Sequence, residues 1–378
     1  MKRILYIVST LKRCSPVNQL YNVIRYLNRE EFEPYLITLS SEPPDSSWKD
    51  YESIGVHLYS LQMSRLKGFI RAVKQVNVLL AEIKPDIIHT QGIRGDIISS
   101  KLHIGIPKIA TVHNLPQFDY PMTYGYIRGN LMRVRHINTL KKISLCIGVS
   151  GTVADNLINK YKINKVISIQ NGVDTNLYFS SNDNEKKLLR DKLNLCITGN
   201  IFISSGHLTE RKDPLFLIKA WNKIFNSNDN NHLVFIGTGN LLEKCRKEAG
   251  NNKNIHLIGQ VNNVVDYLKC SDYFISVSQA EGLPVAVLEA MACGLPVLLS
   301  DIEAHKEILT FASGAGYCYK LGNEADFLYF LDKALNANKI VMCNASQEAV
   351  KNNFNAKKMS EKYQGAYRQF YTAVTEAV

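Results

Sequence analysis

Two carboxylates, Glu281 and Glu289, stand eight residues apart in the stretch Glu281-Gly-Leu-Pro-Val-Ala-Val-Leu-Glu-Ala-Met-Ala-Cys-Gly-Leu-Pro-Val297. Pro284 suits the first turn of a helix, where a missing N–H costs nothing. Leu288, Met291 and Ala292 give that helix an apolar face, Gly294 ends it, and Pro296 forbids continuation. Asp272–Ser278 and Val297–Leu299 read as the strands on either side. Glu281 therefore falls in a turn above a strand, together with Gly282 and Leu283, and Glu289 falls inside an otherwise apolar helix. A helix N-terminus presents unbonded N–H groups and a partial positive charge, and so binds phosphate. With one acid at the mouth of that site and one lower down, the layout suits a nucleotide-sugar. The diphosphate would sit on the helix N-terminus, ribose hydroxyls on one carboxylate and sugar hydroxyls on the other. An ordinary βαβ unit with two solvated acids fits the same pattern.

A second group of candidates is cationic or lies at strand ends. The loop Ser205-Gly-His-Leu-Thr-Glu-Arg-Lys-Asp-Pro214 follows an apolar strand expected over Leu195–Ser204, and Pro214 starts the next helix. It presents His207, Arg211 and Lys212 to an anion, or simply to water. Gly237-Thr-Gly239 closes an expected strand from His232, and a lone G-x-G is not specific to phosphate sites. Lys108–His113 is another buried strand. His113 and Asn114 close it, at the place where an open α/β sheet receives ligands. A histidine there also serves as a structural group. Ser15 and Pro16 lie in the loop after the first strand, Lys2–Ser9, and Pro16 opens a helix through Leu27.

These residues must be carried by alternating strands and helices, which run the whole chain. At 378 residues the chain is too long for one ordinary core, so two domains of about 170–200 residues are expected. The turn Asn171-Gly-Val-Asp174 marks the passage between them, and residues 180–192 read as polar and peripheral. No uncharged run is long and apolar enough to span a membrane. The run Ile4–Leu11 is followed by Lys12 and Arg13 rather than a cleavage site, so it reads as a strand and not a signal peptide. Eight scattered cysteines without a C-x-x-C pair read as reduced thiols in a cytoplasmic protein with no metal cluster.

Net charge is +11 and uneven: residues 1–170 carry 23 Lys/Arg against 12 Asp/Glu, and residues 171–378 carry 22 against 22. An anionic partner for the first half is implied, or else a merely soluble basic surface. A helix is expected over Arg65–Lys84, with Arg65 and Lys67 in its first turn and Leu66, Phe69 and Ile70 on its apolar face. Between Tyr120 and Lys142, Arg128, Arg133, Arg135, Lys141 and Lys142 interleave with Tyr124, Tyr126, Ile127, Leu131 and Met132. Such a pattern reads as an element lying on a membrane surface, or as a solvated helix packed on the sheet.

The motif E-G-L-P-x-x-x-x-E-A-M-A-x-G-x-P-V, nearly unbroken over 17 positions, resembles the signature of retaining glycosyltransferases of family 4. The N-G-V-D turn is similar to that family's interdomain hallmark, and the resemblance extends over essentially the whole chain. It implies the GT-B fold, an α/β architecture of two Rossmann-like doubly wound domains facing across a cleft. The N-terminal domain, residues 1–170, would bind the acceptor. The C-terminal domain, 171–357, would bind the nucleotide-sugar, and a last helix at about 358–378 would cross back to the first.

By that resemblance Lys212 and Arg211, with backbone N–H groups of Gly282 and Leu283, bind the donor diphosphate. Glu289 holds the ribose. Glu281 contacts the sugar and steadies the developing oxocarbenium, and His113 hydrogen-bonds the sugar from the other domain. The Gly237–Gly239 turn would lie near the base. The implied donor is a UDP-sugar, and the acceptor a saccharide on undecaprenyl diphosphate, in O-antigen or capsule assembly. Work at the inner face of the plasma membrane favours the membrane reading of 120–142. No metal, no other cofactor and no nucleic acid are expected.

Some positions depart from the family pattern. His207 stands where an arginine is usual, Asn114 where an acid is common, and Ser15-Pro16 where a Gly-Gly pair lets backbone approach a ligand. The His207 and Ser15-Pro16 departures keep open a non-catalytic sugar-nucleotide-binding subunit. A sugar-nucleotide 2-epimerase on the same fold would need further acids and histidines around the cleft. A dehydrogenase would need G-x-G-x-x-G after the first strand, where residues 9–16 hold no glycine.

Overall fold

Parallel strands covered by helices on both faces read as nearly unbroken apolar runs. Ile4–Val8, Ile201–Ile203 and Leu233–Ile236 are such runs, all buried. In the computed structural model, residues 1–64, 69–102, 105–195 and 198–375 are described. Arg65, Leu66, Lys67 and Cys196, and the side chains of Phe69 and Ile70, lie outside the description. The chain divides into two compact units, Met1–Gly172 with Ala356–Val378, and Val173–Asn355.

The first unit holds β1 (Lys2–Val8), β2 (Phe32–Thr38), β3 (His57–Ser60), β4 (Ile87–Gln91), β5 (Lys108–Val112), β6 (Leu145–Gly148) and β7 (Val166–Ser168). They form one parallel sheet in the order β3-β2-β1-β4-β5-β6-β7. The strand order reverses between β1 and β4, where Ile4 pairs with Ile87. Only Gly92 separates β4 from the helix Ile93–Ser99. The helix Ala356–Thr375 belongs to this unit and packs Met359, Tyr363 and Tyr367 into the core of the helix Ser15–Arg25, beside Leu20 and Val23. Ser360 Oγ donates to Val23 O at 2.7 Å, and Tyr367 OH lies 2.8 Å from Nδ1 of the fully buried His89.

The second unit holds β8 (Asn200–Ser205), β9 (Asn231–Ile236), β10 (Ile255–Gly259), β11 (Tyr273–Ser276), β12 (Val297–Ser300) and β13 (Gly316–Tyr319). They are parallel in the order β10-β9-β8-β11-β12-β13, so the order reverses between β8 and β11. Residues 180–192, expected to be polar and peripheral, are mostly exposed. They contain the helix Asp183–Lys192, closed by a capping box between Asn182 and Glu185. Arg190 is buried in it, and both Arg190 and Lys186 grip Asp272, Lys186 at 2.6 Å. Lys339 reaches the same carboxylate at 2.6 Å, and the backbone N–H of Ile201 at 2.7 Å. Two cations of this solvated segment thus turn inward to a buried acid. Burial alone would raise the Asp272 carboxyl, but Lys186 and Lys339 pull it down to about 2.

Candidate active site

In an open α/β sheet, the strand order reverses where two neighbouring strands send their following segments to opposite faces, which leaves a crevice at their carboxyl ends. In the second unit that place lies between the loop after β8 and the turn after β11. The loop runs through Gly206 and His207 to a single tight turn, Glu210–Lys212. Asp213 then adopts a left-handed conformation (φ 46°, ψ 49°) and caps the helix Pro214–Ile224 through Phe216 N. The turn after β11 carries Glu281, buried Gly282 and Leu283, and Pro284. Pro284 is the N-cap (φ −71°, ψ 106°) of the helix Val285–Ala292 rather than a residue of its first turn.

The two segments are joined by charge and by backbone. Arg211 Nη1 donates to Glu281 Oε2 at 2.7 Å and to Ala280 O at 2.9 Å. Lys212 Nζ lies 2.6 Å from the other carboxylate oxygen, Oε1. Gln279 N donates to Arg211 O at 2.8 Å, and Gln279 Nε2 to Asp213 Oδ2 at 3.0 Å. Glu281 is only 8% exposed. Burial would raise its carboxyl, but Lys212 and Arg211 pull it down to about 2. It is a carboxylate at any working pH.

A narrow pocket opens beside this pair, walled by Gly206, His207, Lys212, Ser276, Ser278 and Pro284 among others. His207 is exposed, with Nδ1 3.3 Å from Thr238 O. The Gly-Thr-Gly turn has a mechanical use here. Gly206 N donates to Ile236 O and Leu208 N to Thr238 O, both at 3.0 Å. A Cβ on Gly237 (φ +127°) would run into the carbonyl of Gly206, and one on Gly239 into that of Leu208. The two glycines let the loops after β8 and β9 lie backbone to backbone.

Glu289 sits further along the helix Val285–Ala292 and is half-buried. Burial pushes its carboxyl up to about 7, against a hydrogen bond from the Tyr178 hydroxyl that lowers it. Tyr178 follows the Asn171–Asp174 turn, where its N–H bonds to Asp174 O at 2.9 Å. Sequence reasoning missed Tyr178, since no spacing links it to Glu289. It also missed His305, fully buried, with Nδ1 2.8 Å from Ser300 O and Nε2 3.3 Å from Ser276 Oγ.

The remaining sequence candidates lie in the first unit. His113 and Asn114, after β5, line a cavity of about 380 Å³ together with Ser9, Lys12, Cys14, Gln91 and Tyr120 among others. His113 Nε2 lies 3.0 Å from Gln91 Oε1, and burial lowers its imidazole to about 4, so it is neutral. Asn114 Nδ2 donates to Asp119 Oδ1 at 3.1 Å. Cys14 caps the helix Ser15–Arg25. Cys14 and Pro16, not the exposed Ser15, face the cavity.

Comparison with known proteins bears on both units. Residues 17–177 match the model of Glycosyltransferase Family 4, and residues 185–355 that of Glycosyl transferases group 1. The capsular polysaccharide biosynthesis glycosyltransferase CapH of Staphylococcus aureus is 27% identical over 325 residues, covering 82% of this chain and 84% of its own. The UDP-Gal:alpha-D-GlcNAc-diphosphoundecaprenol alpha-1,3-galactosyltransferase of Escherichia coli is 26% identical over 361 residues, 90% of each chain. Among solved structures, Anabaena HepE in complex with UDP and glucose superimposes with a TM-score of 0.81 at 16% identity, over 98% of this chain and 100% of its own. With two doubly wound parallel sheets and both family models matched in succession, the chain belongs to the group 1/family 4-like glycosyltransferases of GT-B fold.

Proposed function

We propose that this glycosyltransferase moves a hexose or N-acetylhexosamine from a UDP-sugar to a saccharide carried on a lipid diphosphate, with retention of anomeric configuration and without a metal. The observation that carries the reading is the pairing of Glu281 with Lys212 and Arg211 beside the N-terminus of the helix Val285–Ala292. Two cations and a helix terminus converge where a diphosphate would depart, and preorganised charge of this kind stabilises a leaving group without reorganisation. Lys212, on the pocket wall, receives the diphosphate, with the turn at Gly282 and Leu283. Arg211 takes part less directly, since its guanidinium is engaged by Glu281 and Ala280 O. Glu281 meets the sugar hydroxyls and the positive charge that develops at the anomeric carbon. Glu289, ionised, accepts the ribose hydroxyls, and neutral His113 hydrogen-bonds the transferred sugar. The acceptor hydroxyl attacks from the face the diphosphate leaves, and its proton passes to a diphosphate oxygen.

Surface polysaccharide assembly, O-antigen or capsule, is the setting proposed, because two relatives are named for such work or for a diphosphoundecaprenol acceptor. Attachment to the inner face of the plasma membrane is proposed through the helices Pro116–Tyr124 and Tyr126–Leu140. There Tyr126, Ile127 and Leu131 are 80%, 77% and 69% exposed among basic side chains. No described helix is long and apolar enough to cross a membrane.

The test is a donor screen on the purified protein in EDTA, with UDP-Glc, UDP-Gal, UDP-GlcNAc, UDP-GalNAc and GDP-Man, followed by transfer to an undecaprenyl-diphosphate-sugar analogue. Binding and transfer of one UDP-sugar without metal supports the reading and names the donor. Failure of every UDP-sugar to bind overturns it, and binding without transfer favours a non-catalytic sugar-nucleotide-binding subunit.

A further inference from the structure

Three side chains of the first unit form a hydrogen-bonded chain that ends on the cavity wall. Asp96, fully buried in the helix Ile93–Ser99, accepts from Thr90 Oγ1 at 2.5 Å and lies 2.7 Å from His136 Nε2. The other ring nitrogen, Nδ1, lies 2.7 Å from the Tyr120 hydroxyl. Tyr120 and His136 both line the cavity that holds His113 and Asn114. The three residues come from three helices. Gly129 brings the last two together, since a Cβ there would strike the Tyr120 carbonyl and lie 2.6 Å from Pro121 Cα.

The direction of these bonds follows from chemistry. A carboxylate only accepts, so His136 Nε2 carries a proton and donates to Asp96. With the ring in its Nε2–H tautomer, Nδ1 is bare and Tyr120 O–H donates to it. A tyrosine hydroxyl ordinarily turns to suit its partner. Here its proton is committed inward, and only lone pairs of its oxygen remain for the cavity. Burial also raises the Tyr120 phenol above its ordinary range, so it stays a neutral phenol.

We propose that Asp96 and His136 orient Tyr120 so that its oxygen accepts a hydrogen bond from one hydroxyl of the acceptor saccharide. Tyr120 contacts the substrate, and His136 and Asp96 are positioning residues. The proposal rests on the reading that the acceptor binds in the first unit. Sugar hydroxyls donate and accept alike, so a group that only accepts selects a hydroxyl and rejects an ether at one position.

The test measures kcat/KM for a lipid-diphosphate-linked acceptor and its singly deoxygenated and singly O-methylated analogues. The proteins are the full-length wild type, Tyr120→Phe and Asp96→Asn. For the wild type, one deoxy position costs about tenfold or more, the size of one well-made hydrogen bond. Tyr120→Phe loses that factor on the parent acceptor and nothing further on that deoxy analogue. In Asp96→Asn the amide donates to Nε2 and reverses the imidazole, which then donates to Tyr120 and turns the phenol proton outward. The penalty against the O-methyl ether at that position shrinks. UDP affinity is unchanged in both variants. A Tyr120→Phe variant equal to wild type overturns the proposal. So does an equal loss on every analogue, which is the mark of a latch that only ties helices together. If the wild type transfers to no lipid-linked saccharide although it binds a UDP-sugar, the acceptor reading itself falls and takes this proposal with it.

Discussion

Lys212 and Glu281 face each other across 2.6 Å, between the loop after β8 and the turn after β11. One cation thus belongs at once to a buried carboxylate and to the wall of the adjoining pocket. The pair is held rigid from the other side by Arg211, which takes the second carboxylate oxygen and a backbone carbonyl. Charge at this point is fixed before any ligand arrives, which makes removal of either member informative.

Glu281→Gln and Lys212→Met are expected to move UDP binding in opposite directions. The glutamine releases two cations to the diphosphate, so UDP binds more tightly while sugar transfer falls by about a hundredfold or more. The methionine weakens UDP binding and also lowers transfer. Calorimetric titration with UDP beside a transfer assay checks both signs. Equal weakening of UDP in the two variants would contradict the arrangement. Arg211→Met leaves the Ala280 carbonyl without that donor and Glu281 with one cation fewer. A loss of about 1–3 kcal/mol is expected, read as a fall in Tm.

The Glu289 carboxyl, pushed up by burial to about 7, titrates in the working range. If it holds the ribose as proposed, its ionised form accepts the ribose hydroxyls and its protonated form accepts them poorly. Affinity for UDP should therefore rise as pH increases from about 6 to 8. Tyr178→Phe removes a hydrogen bond that lowers this value, so the inflection moves to higher pH. For the unliganded fold the sign is reversed. A carboxyl raised above its unfolded value contributes stability that is complete below the unfolded pKa and lost as pH rises through about 7. Titrations of UDP across this range on the wild type, Tyr178→Phe and Glu289→Gln decide the matter. A flat profile for the wild type would falsify the assignment.

Asp272 anchors two helices to β11 through Lys186, Arg190 and Lys339. Asp272→Asn leaves three cations without their common partner, and a loss of about 3–5 kcal/mol is expected. Because the native carboxyl is held down at about 2, its contribution is present above the unfolded pKa of 3.8 and lost as pH falls through about 2. Urea unfolding of wild type and variant at neutral and acid pH measures this. Convergence of the two proteins in acid is the expected result.

Ile127→Glu with Leu131→Glu places two acids on the exposed face of the helix Tyr126–Leu140. Sedimentation with vesicles containing anionic lipid should bring down the wild type and not the double variant, and added salt should weaken binding of the wild type. Transfer to a short-chain, water-soluble acceptor should be unaffected. Retention of vesicle binding by the variant would move the membrane contact elsewhere.

The sequence by itself determined the alternation of strands and helices, because buried parallel strands and capped helices are written in local apolar runs, prolines and glycines. Glu281, Lys212 and His113 were legible as candidates because each falls in the segment that follows a strand, and such segments are local features. What the tertiary structure decided is which of these ends meet. Arg211 was legible as a cation, but its grip on Ala280 O depends on β8 lying beside β11, a pairing set by sheet order and not by spacing. The segment 180–192 is exposed as its polarity suggests, but which of its cations turn inward to Asp272 is decided by packing. Tyr178 beside Glu289, and Asp96 with His136 and Tyr120, carry no sequence signal at all. Polar side chains far apart in the chain become partners only when the packing of separate helices brings them within hydrogen-bonding distance, and no periodicity records that.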